Sequence, residues 1–593
     1  MVKGASRTGE LQASGWGFLP VAVAFVLLLL AVSPQGDFPL NDDWIYSSAV
    51  KQRLATGHDV IDMDTSAYLY PQRFYGTALG WLFGFSFTLM RVSGLLAAFA
   101  CLVFAYRILA RLGFRTFLCF AGTVALLANP IFLNLSYTFM TDIPYLAFFL
   151  AALLLYIRAA QTGEKLALWG ASFLTIIALT QRQTGLLLTP AVMIFFFLQR
   201  KRRPLSPFDW AVLLLPVAAF AALTAARGGG NLQGFDPRWL LNPSEWAKLY
   251  RLVPLSKLRQ MAGADPLDLF AIVTLSLPAY LGLFTLPLLL GGWLGSLRKR
   301  AALPAGLFTV SALCAGGFFA AQSFLQGTNV AGRLQVTSMP FLTNILNRCG
   351  VGPAAGNVLA GECVSVLPDA AWQGVTIAAV LGGALLSALG IHWGFRKLLA
   401  IRWKALAYSP SGEERAEKGV SCVGLMVLAG AFQILPFYVV WPQDRYLLPL
   451  LLPAAVLVLE TFRNVRWSAA ATALGLIIFY LYGAVSVQDY LSWNRVRWEL
   501  SGELLAEGVP PEHIDGGFEW HGWHFAYKYP RSVKPKRTSP YLLWFTHIIP
   551  NLDPVYAITF GEVPGYSVLR VREFPTHLPR SDPRMYLLKR NEP

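Results

Sequence analysis

Charge is what this 593-residue chain has least of. Only 14% of its residues are charged and 55% are hydrophobic, whereas a soluble protein of this size carries about a quarter charged residues. With repeated apolar runs of roughly 18 residues or more, the deficit excludes a soluble globular protein and reads as a polytopic membrane protein. No internal repeat, low-complexity tract or long disordered linker is found, and no P-loop or Rossmann signature, which leaves chemistry on a soluble nucleotide unsupported. Cysteine is also scarce, with six in all. Cys101, Cys119, Cys314 and Cys422 lie within apolar runs and read as small core residues. Cys349 and Cys363 share one polar loop, where they form a disulfide if the loop faces an oxidising compartment and otherwise stay free thiols.

The charge that is present is unevenly placed. A net +16 comes from basic clusters in short loops: Arg111 and Arg115, Arg200-Lys201-Arg202-Arg203, Arg298-Lys299-Arg300, Arg396 to Lys404, and Arg463 with Arg466. That is the cytoplasmic pattern of the positive-inside rule, so nucleic acid is not an expected partner. Taking those loops as cytoplasmic orients thirteen expected spans, at 16–34, 87–109, 115–134, 143–160, 166–181, 185–199, 209–226, 269–294, 303–323, 373–392, 420–440, 446–461 and 468–486. The first run has a basic n-region in Lys3 and Arg7, but Pro34 follows Ala31-Val32-Ser33 in a poor cleavage context, so a retained signal anchor is expected. The N-terminus then lies in the cytoplasm, and the loops 35–86, 227–268 and 324–372 lie outside. Keeping 166–181 and 185–199 as a tight hairpin is what holds Arg298 to Arg300 on the cytoplasmic side.

The fold class expected is an all-α polytopic membrane domain over 1–487 with a small α/β extracytoplasmic cap over 488–593. Within the cap, Arg495 to Glu507 has helical spacing. Val555 to Phe560 and Tyr566 to Val571 read as strands around a Pro-Gly turn.

Against this background the adjacent carboxylates Asp42 and Asp43, just past the first span in Asn41-Asp42-Asp43-Trp44, need a reason, because ionisable groups near hydrocarbon are costly. Three more polar groups share their depth: Asp142 at the start of the fourth span, Gln181-Arg182-Gln183 in the hairpin turn, and Gln443-Asp444-Arg445-Tyr446 before the twelfth span. A carboxylate can act as general base on an acceptor hydroxyl or amine. Arginine stays charged and binds phosphate oxygens through a planar fork. Together they suit transfer from a phosphate-activated donor held in the membrane.

The segment Asp42 to Tyr46 (Asp-Asp-Trp-Ile-Tyr) resembles the acidic motif in the first outer loop of GT-C glycosyltransferases, and most of all the protein mannosyltransferase and aminoarabinose transferase group. Thr141 to Pro144 resembles that group's second acidic motif, and Asp444 to Pro449 resembles its late Arg-Tyr-Leu-x-Pro element. The likeness spans about 16–486 in layout and a small set of motif residues. It implies a polyprenyl-phosphate sugar donor, a lipid, glycan or protein acceptor, the bacterial inner membrane and no cofactor. It also implies Asp42 as base or acceptor-orienting group, Asp43 in the second acidic position, and Asp142 in support. Arg445 and Arg182 are the expected donor-phosphate contacts. Arg182 departs from the lysine common there, and Tyr70-Pro71-Gln72-Arg73 replaces a Lys-Pro-Pro-like element, leaving Arg73 as a weaker phosphate candidate.

Each residue also has a plain structural reading. Asp42 and Asp142 can cap helices, worth about 1 kcal/mol each; Arg445 can pair with Asp444; Arg182 can snorkel. His58 with Asp59, Asp62 and Asp64 reads as a solvated acidic loop rather than an oxygen cage for a cation. His521 and His524 beside Glu519 and Asp515 lack the spacing of a zinc site, so no metal is expected. The aromatics Phe518, Trp520, Trp523 and Tyr527 read as packing of the cap rather than a sugar platform. The rival function is a transporter or flippase of lipid-linked saccharide, which predicts midplane charge and inverted repeats.

Overall fold

A computed structural model of the chain describes residues 15–58, 68–227, 266–298, 305–326, 338–342, 344–353, 365–406, 422–438, 442–525, 554–579 and 582–591. Apolar sequence in hydrocarbon has one favoured local solution, the helix, because every backbone donor and acceptor must be satisfied within its own segment. Among the described residues six helices are long and apolar enough to cross a membrane, or seven if one bent pair is counted as a single span. The chain is thus an integral, polytopic and mainly helical membrane protein. Further apolar helices below that length stand at Leu19–Ala31, Lys165–Gln181, Gln183–Leu198 and Val423–Tyr438, the second and third close to the runs expected at 166–181 and 185–199.

The chain order begins α1 (Leu19–Ala31), α2 (Asp43–Thr56), α3 (Tyr70–Phe83), α4 (Phe87–Arg111), α5 (Thr116–Leu127), α6 (Pro130–Ser136), α7 (Asp142–Thr162), α8 (Lys165–Gln181), α9 (Leu188–Leu198) and α10 (Pro207–Arg227). It continues through α11 (Pro266–Arg298), α12 (Ala305–Gln326), α13 (Asp369–Leu406), α14 (Val423–Ile434), α15 (Leu448–Thr461), α16 (Ala469–Ala506) and α17 (Phe518–Phe525). Three of the basic loops, those of Arg111 and Arg115, Arg200 to Arg203, and Arg463 and Arg466, meet at one end of the bundle, where arginines satisfy carbonyls at the helix ends. Arg115 donates to the Val465 carbonyl at 3.1 Å, Arg203 Nε to Ala160 at 3.0 Å, and Arg463 to Leu112.

Three differences from the sequence expectation shape the opposite end. The run at 115–134 is two helices bent by 65°, not one. Pro130 has no N–H to give and holds Asn129 extended, while the Asn129 side chain accepts from Ile131 and Phe132 N–H at 2.9 and 3.1 Å to start α6 afresh. The last expected span runs on unbroken as the 38-residue α16, so the boundary near 487 falls inside a helix. At 1.5 Å per residue its length is roughly 57 Å, well beyond a hydrocarbon core of ~30 Å. The expected strands at 555–560 and 566–571 are not paired with each other. The strand Arg584–Arg590 lies between them in a four-stranded sheet of order Ile514–Asp515, Tyr556–Thr559, Arg584–Arg590, Tyr566–Glu573.

That sheet is bound to α16 through side chains. Asp489 accepts from the His577 and Leu578 N–H groups and from Thr576 Oγ1, all within 3.1 Å. Arg570 and Arg572 reach Glu503, Glu507 and Glu499 along the same helix. Cys349 is disulfide-bonded and Cys101, Cys119, Cys314 and Cys422 are free, whereas Cys363 lies outside the described residues. So do Asp59, Asp62 and Asp64, and much of the loops 227–268 and 324–372.

Candidate active site

The stretch leading into the Asp-Asp motif is held by arginines from two helices. Arg91 of α4, fully buried, donates to the Pro34, Gly36 and Phe38 carbonyls at 2.5, 3.1 and 2.9 Å. Arg495 of α16 donates to Ser33 and Gln35 at 2.8 and 3.1 Å. Asp42 then occupies the N-cap position of α2, yet its side chain makes no capping hydrogen bond. Instead its carboxylate faces Arg445, with Nη1 3.3 Å from Oδ2. Asp142 likewise caps nothing: it sits in the first turn of α7 and takes Arg182 Nη1 at 2.5 Å, and the same Nη1 reaches Thr141 Oγ1 at 3.0 Å.

These two pairs form one cluster. Tyr446 joins them, with the Arg182 guanidinium 5.1 Å and the Arg445 guanidinium 5.7 Å from its ring centre. Burial opposes the charge on Arg445, but Asp142 and Asp42 outweigh it and hold the guanidinium above its ordinary range. Burial raises the Tyr46 phenol, Asp42 adds to the rise, and Arg445 and Arg182 oppose it, which places this ring in the same electrostatic neighbourhood. Four segments far apart in sequence thus bring two carboxylates, two guanidinium groups and two phenols together. Asp42 is the open member: its side chain is 23% exposed against 4% for Asp142.

Asp43 has a different environment. Its Oδ1 accepts from Phe139 N–H at 2.8 Å and its Oδ2 from Leu40 N–H at 3.3 Å, tying the motif to the strand of chain that precedes α7. Burial pushes its carboxyl up to about 8, against the pull of the Phe139 N–H, Arg91 and the Leu40 N–H. Asp444 accepts from the Ile345 and Leu346 N–H groups at 2.6 to 3.1 Å, and Arg445 turns to Gln443 Oε1, at 2.7 Å, and to Asp42. Arg73 is buried with its guanidinium 5.1 Å from the Tyr70 ring centre. The adjacent Gln72 makes the cross-links here, donating to the Phe139 carbonyl and accepting from Gln181 Nε2, each at 2.5 Å.

The sequence reading did not assign roles to Tyr46, Tyr446 or Gln443. Tyr46 follows Asp42 by four residues at the start of one helix, a spacing that puts both on one face, so that signal was available. Glu519 carried no such signal. It pairs with Arg497 at 2.8 Å and accepts from the Asn41 N–H at 3.0 Å. His521 stands 3.4 Å from Asp515, and no group of three metal-type ligands converges among the described residues. Trp523 stacks on Phe85 and meets Phe87 edge-on, and Phe518 meets Trp44, so these cap aromatics pack on the helices.

The sequence profile of the dolichyl-phosphate-mannose-protein mannosyltransferase family matches residues 75–224, which hold Asp142 and Arg182 but not Asp42 or Arg445. No curated protein matches the chain. Among solved structures, ArnT from Cupriavidus metallidurans, apo and bound to undecaprenyl phosphate, is 16% identical with a TM-score of 0.38, covering 97% of this chain and 98% of that one. The oligosaccharyltransferase of Archaeoglobus fulgidus in the apo form is 13% identical with a TM-score of 0.40, covering 82% of this chain and 58% of that one. Its AglB complex with an inhibitory peptide and a dolichol-phosphate gives the same identity and TM-score. With the motifs at Asp42, Asp142 and Arg445, the profile match at 75–224 makes this a chain that resembles the GT-C glycosyltransferases of the protein mannosyltransferase group.

Proposed function

We propose that the chain is a membrane glycosyltransferase that moves a sugar from a polyprenyl-phosphate donor to an acceptor on the extracytoplasmic face, with inversion at the anomeric carbon. The observation that carries this reading is the convergence of Asp42–Arg445 and Asp142–Arg182 about Tyr446, with neither carboxylate spent on capping. In the reaction, the acceptor O–H or N–H gives its proton to Asp42. The acceptor atom bonds to the anomeric carbon, and the bond from that carbon to the phosphate oxygen breaks. The polyprenyl phosphate leaves with the electron pair.

In this reading Arg445 and Arg182 hold that phosphate, supported by their convergence beside Tyr446. Such contacts to a charge developing as the bond breaks lower the barrier, whereas equal binding of the ground state does not. Donor phosphate entering beside Arg445 competes with Asp42 for the guanidinium, so donor arrival would release the carboxylate for the acceptor's proton. Asp142 keeps Arg182 oriented. Asp43 acts as a strut, joining the motif to the segment that carries Asp142, and Arg73, buried beside Tyr70, is the weaker phosphate candidate.

The test is transfer in proteoliposomes from a panel of polyprenyl-phosphate sugars to lipid, peptide and glycan acceptors. Transfer from at least one donor, with the anomeric configuration inverted in the product, is the expected result. Movement of saccharide-lipid across the bilayer without transfer would overturn it in favour of the flippase.

A further inference from the structure

We propose that Glu519 and Arg497 are positioning residues for Asp42, and that the C-terminal segment clamps the Asp42-Asp43 motif from both sides. This rests on the role given to Asp42 above. Upstream of the motif, Glu519 Oε1 accepts the Asn41 N–H at 3.0 Å, across 478 residues of sequence, while Oε2 takes Arg497 Nη1 at 2.8 Å. Neither side chain of that ion pair has any exposure. Asn41 has φ of 55°, in the left-handed region that a non-glycine residue seldom occupies without support. The Glu519 oxygen supplies that support at the Leu40–Asn41 peptide, one residue ahead of Asp42.

Downstream of the motif, the Trp44 indole lies against Gly522 so closely that an added Cβ there would collide with the ring, and Phe518 meets Trp44 edge-on at 6.1 Å. One short helix, α17, therefore grips residues 41 and 44, one on each side of the two aspartates. Arg497 is in turn fixed within α16, between the rings of Trp493 and Trp498 at 5.3 and 5.8 Å. A buried ion pair gives little net stability, because desolvation offsets the attraction. What this pair supplies is direction: an acceptor oxygen at one backbone N–H, held where it cannot rotate away. The C-terminal segment thus acts on transfer without touching the reacting atoms.

The test compares wild type with Glu519→Ala, Glu519→Ala/Arg497→Met and Glu519→Gln/Arg497→Met; the two double variants remove both charges and so avoid a lone buried guanidinium. Two quantities are read in the full-length protein: amide hydrogen exchange of the peptide spanning 38–50, and kcat against donor KM. Glu519→Ala and Glu519→Ala/Arg497→Met should lose protection in that peptide. Their kcat per folded molecule should fall between about tenfold and a hundredfold with donor KM unchanged, the scale of effect that misplacing a reacting group produces. Glu519→Gln/Arg497→Met keeps an acceptor oxygen for Asn41 with no buried charge left unpaired and should recover most of both. Unchanged protection, or lost protection with unchanged kcat per folded molecule, would overturn the proposal. If wild type transfers from no donor, the functional reading falls; the clamp then stands or falls on exchange alone, and protection retained in Glu519→Ala refutes it.

Discussion

At the scale of single residues, two adjacent aspartates take on different work because only one of them is given backbone donors. Asp43 spends both oxygens on the Phe139 and Leu40 N–H groups, whereas Asp42 spends none on its helix and is left to Arg445. Burial raises Asp43 to about 8, so the folded protein keeps a proton that the unfolded chain releases above its ordinary value near 3.8. Raising the pH through that window favours unfolding by linkage, and nothing further is lost above the folded value. The melting temperature of wild type minus that of Asp43→Asn should therefore decline from about pH 4 to about pH 8, measured in detergent by intrinsic fluorescence; a flat or rising difference would show that Asp43 is ionised in the fold. Arg182 is another residue whose shape matters beyond its charge. Its guanidinium reaches Asp142 and Thr141 through Nη1 while lying over the Tyr446 ring, and its planar fork presents donors in a fixed geometry that a point-charge ammonium does not reproduce. Arg182→Lys is expected to raise donor KM by about tenfold, the equivalent of one charge-assisted hydrogen bond of roughly 1.5 kcal/mol, with a melting shift of no more than a few degrees. An unchanged KM would remove Arg182 from the donor site.

At the scale of elements, the site depends on where helices stop. The break at Asn129-Pro130 turns the chain out of α5, so that residues 138–142 cross to meet Asp43 and deliver Asp142. Gly94 of α4 lets that crossing lie close: a Cβ there would run into the Thr138 carbonyl oxygen, backbone that cannot step aside alone. Gly94→Ala should cost about 1–3 kcal/mol, in the range of overpacking, and should lower transfer more than its stability loss accounts for. A variant with full activity would show that the 138–142 segment has slack. The six or seven long apolar helices were legible from hydropathy because lipid demands apolar length, and the chain breaks at Arg182, between α8 and α9, where a turn was expected. An apolar run from 115 to 134 reads as one helix because hydropathy does not register the missing N–H of Pro130. The continuity of α16 was hidden for the opposite reason: Gln488 and Asp489 look like the end of a span, yet neither breaks a helix.

At the scale of the molecule, basic loops gather at one end of the bundle and the acid–arginine cluster at the other. That grouping was legible before any coordinates, since Asp42, Asp142, Arg182 and Arg445 all stand at helix ends of one depth. Their pairing was not. The sequence allowed Arg445 to take Asp444, but the Ile345 and Leu346 N–H groups claim that carboxylate and leave Arg445 to Asp42. The clamp by Glu519 could not be read at all, because it joins residues 478 apart through a side chain and a backbone amide. The proposed reaction turns on Asp42 taking the acceptor's proton while the arginines hold the phosphate. Single-turnover transfer by wild type and Asp42→Asn, with donor affinity measured in parallel, tests it most directly. Asp42→Asn should transfer at a rate lower by about 10²–10⁴-fold, the usual worth of a general base, with donor affinity retained. An Asp42→Asn protein that transfers sugar at the wild-type rate, or that loses transfer only because it no longer binds donor, would contradict it.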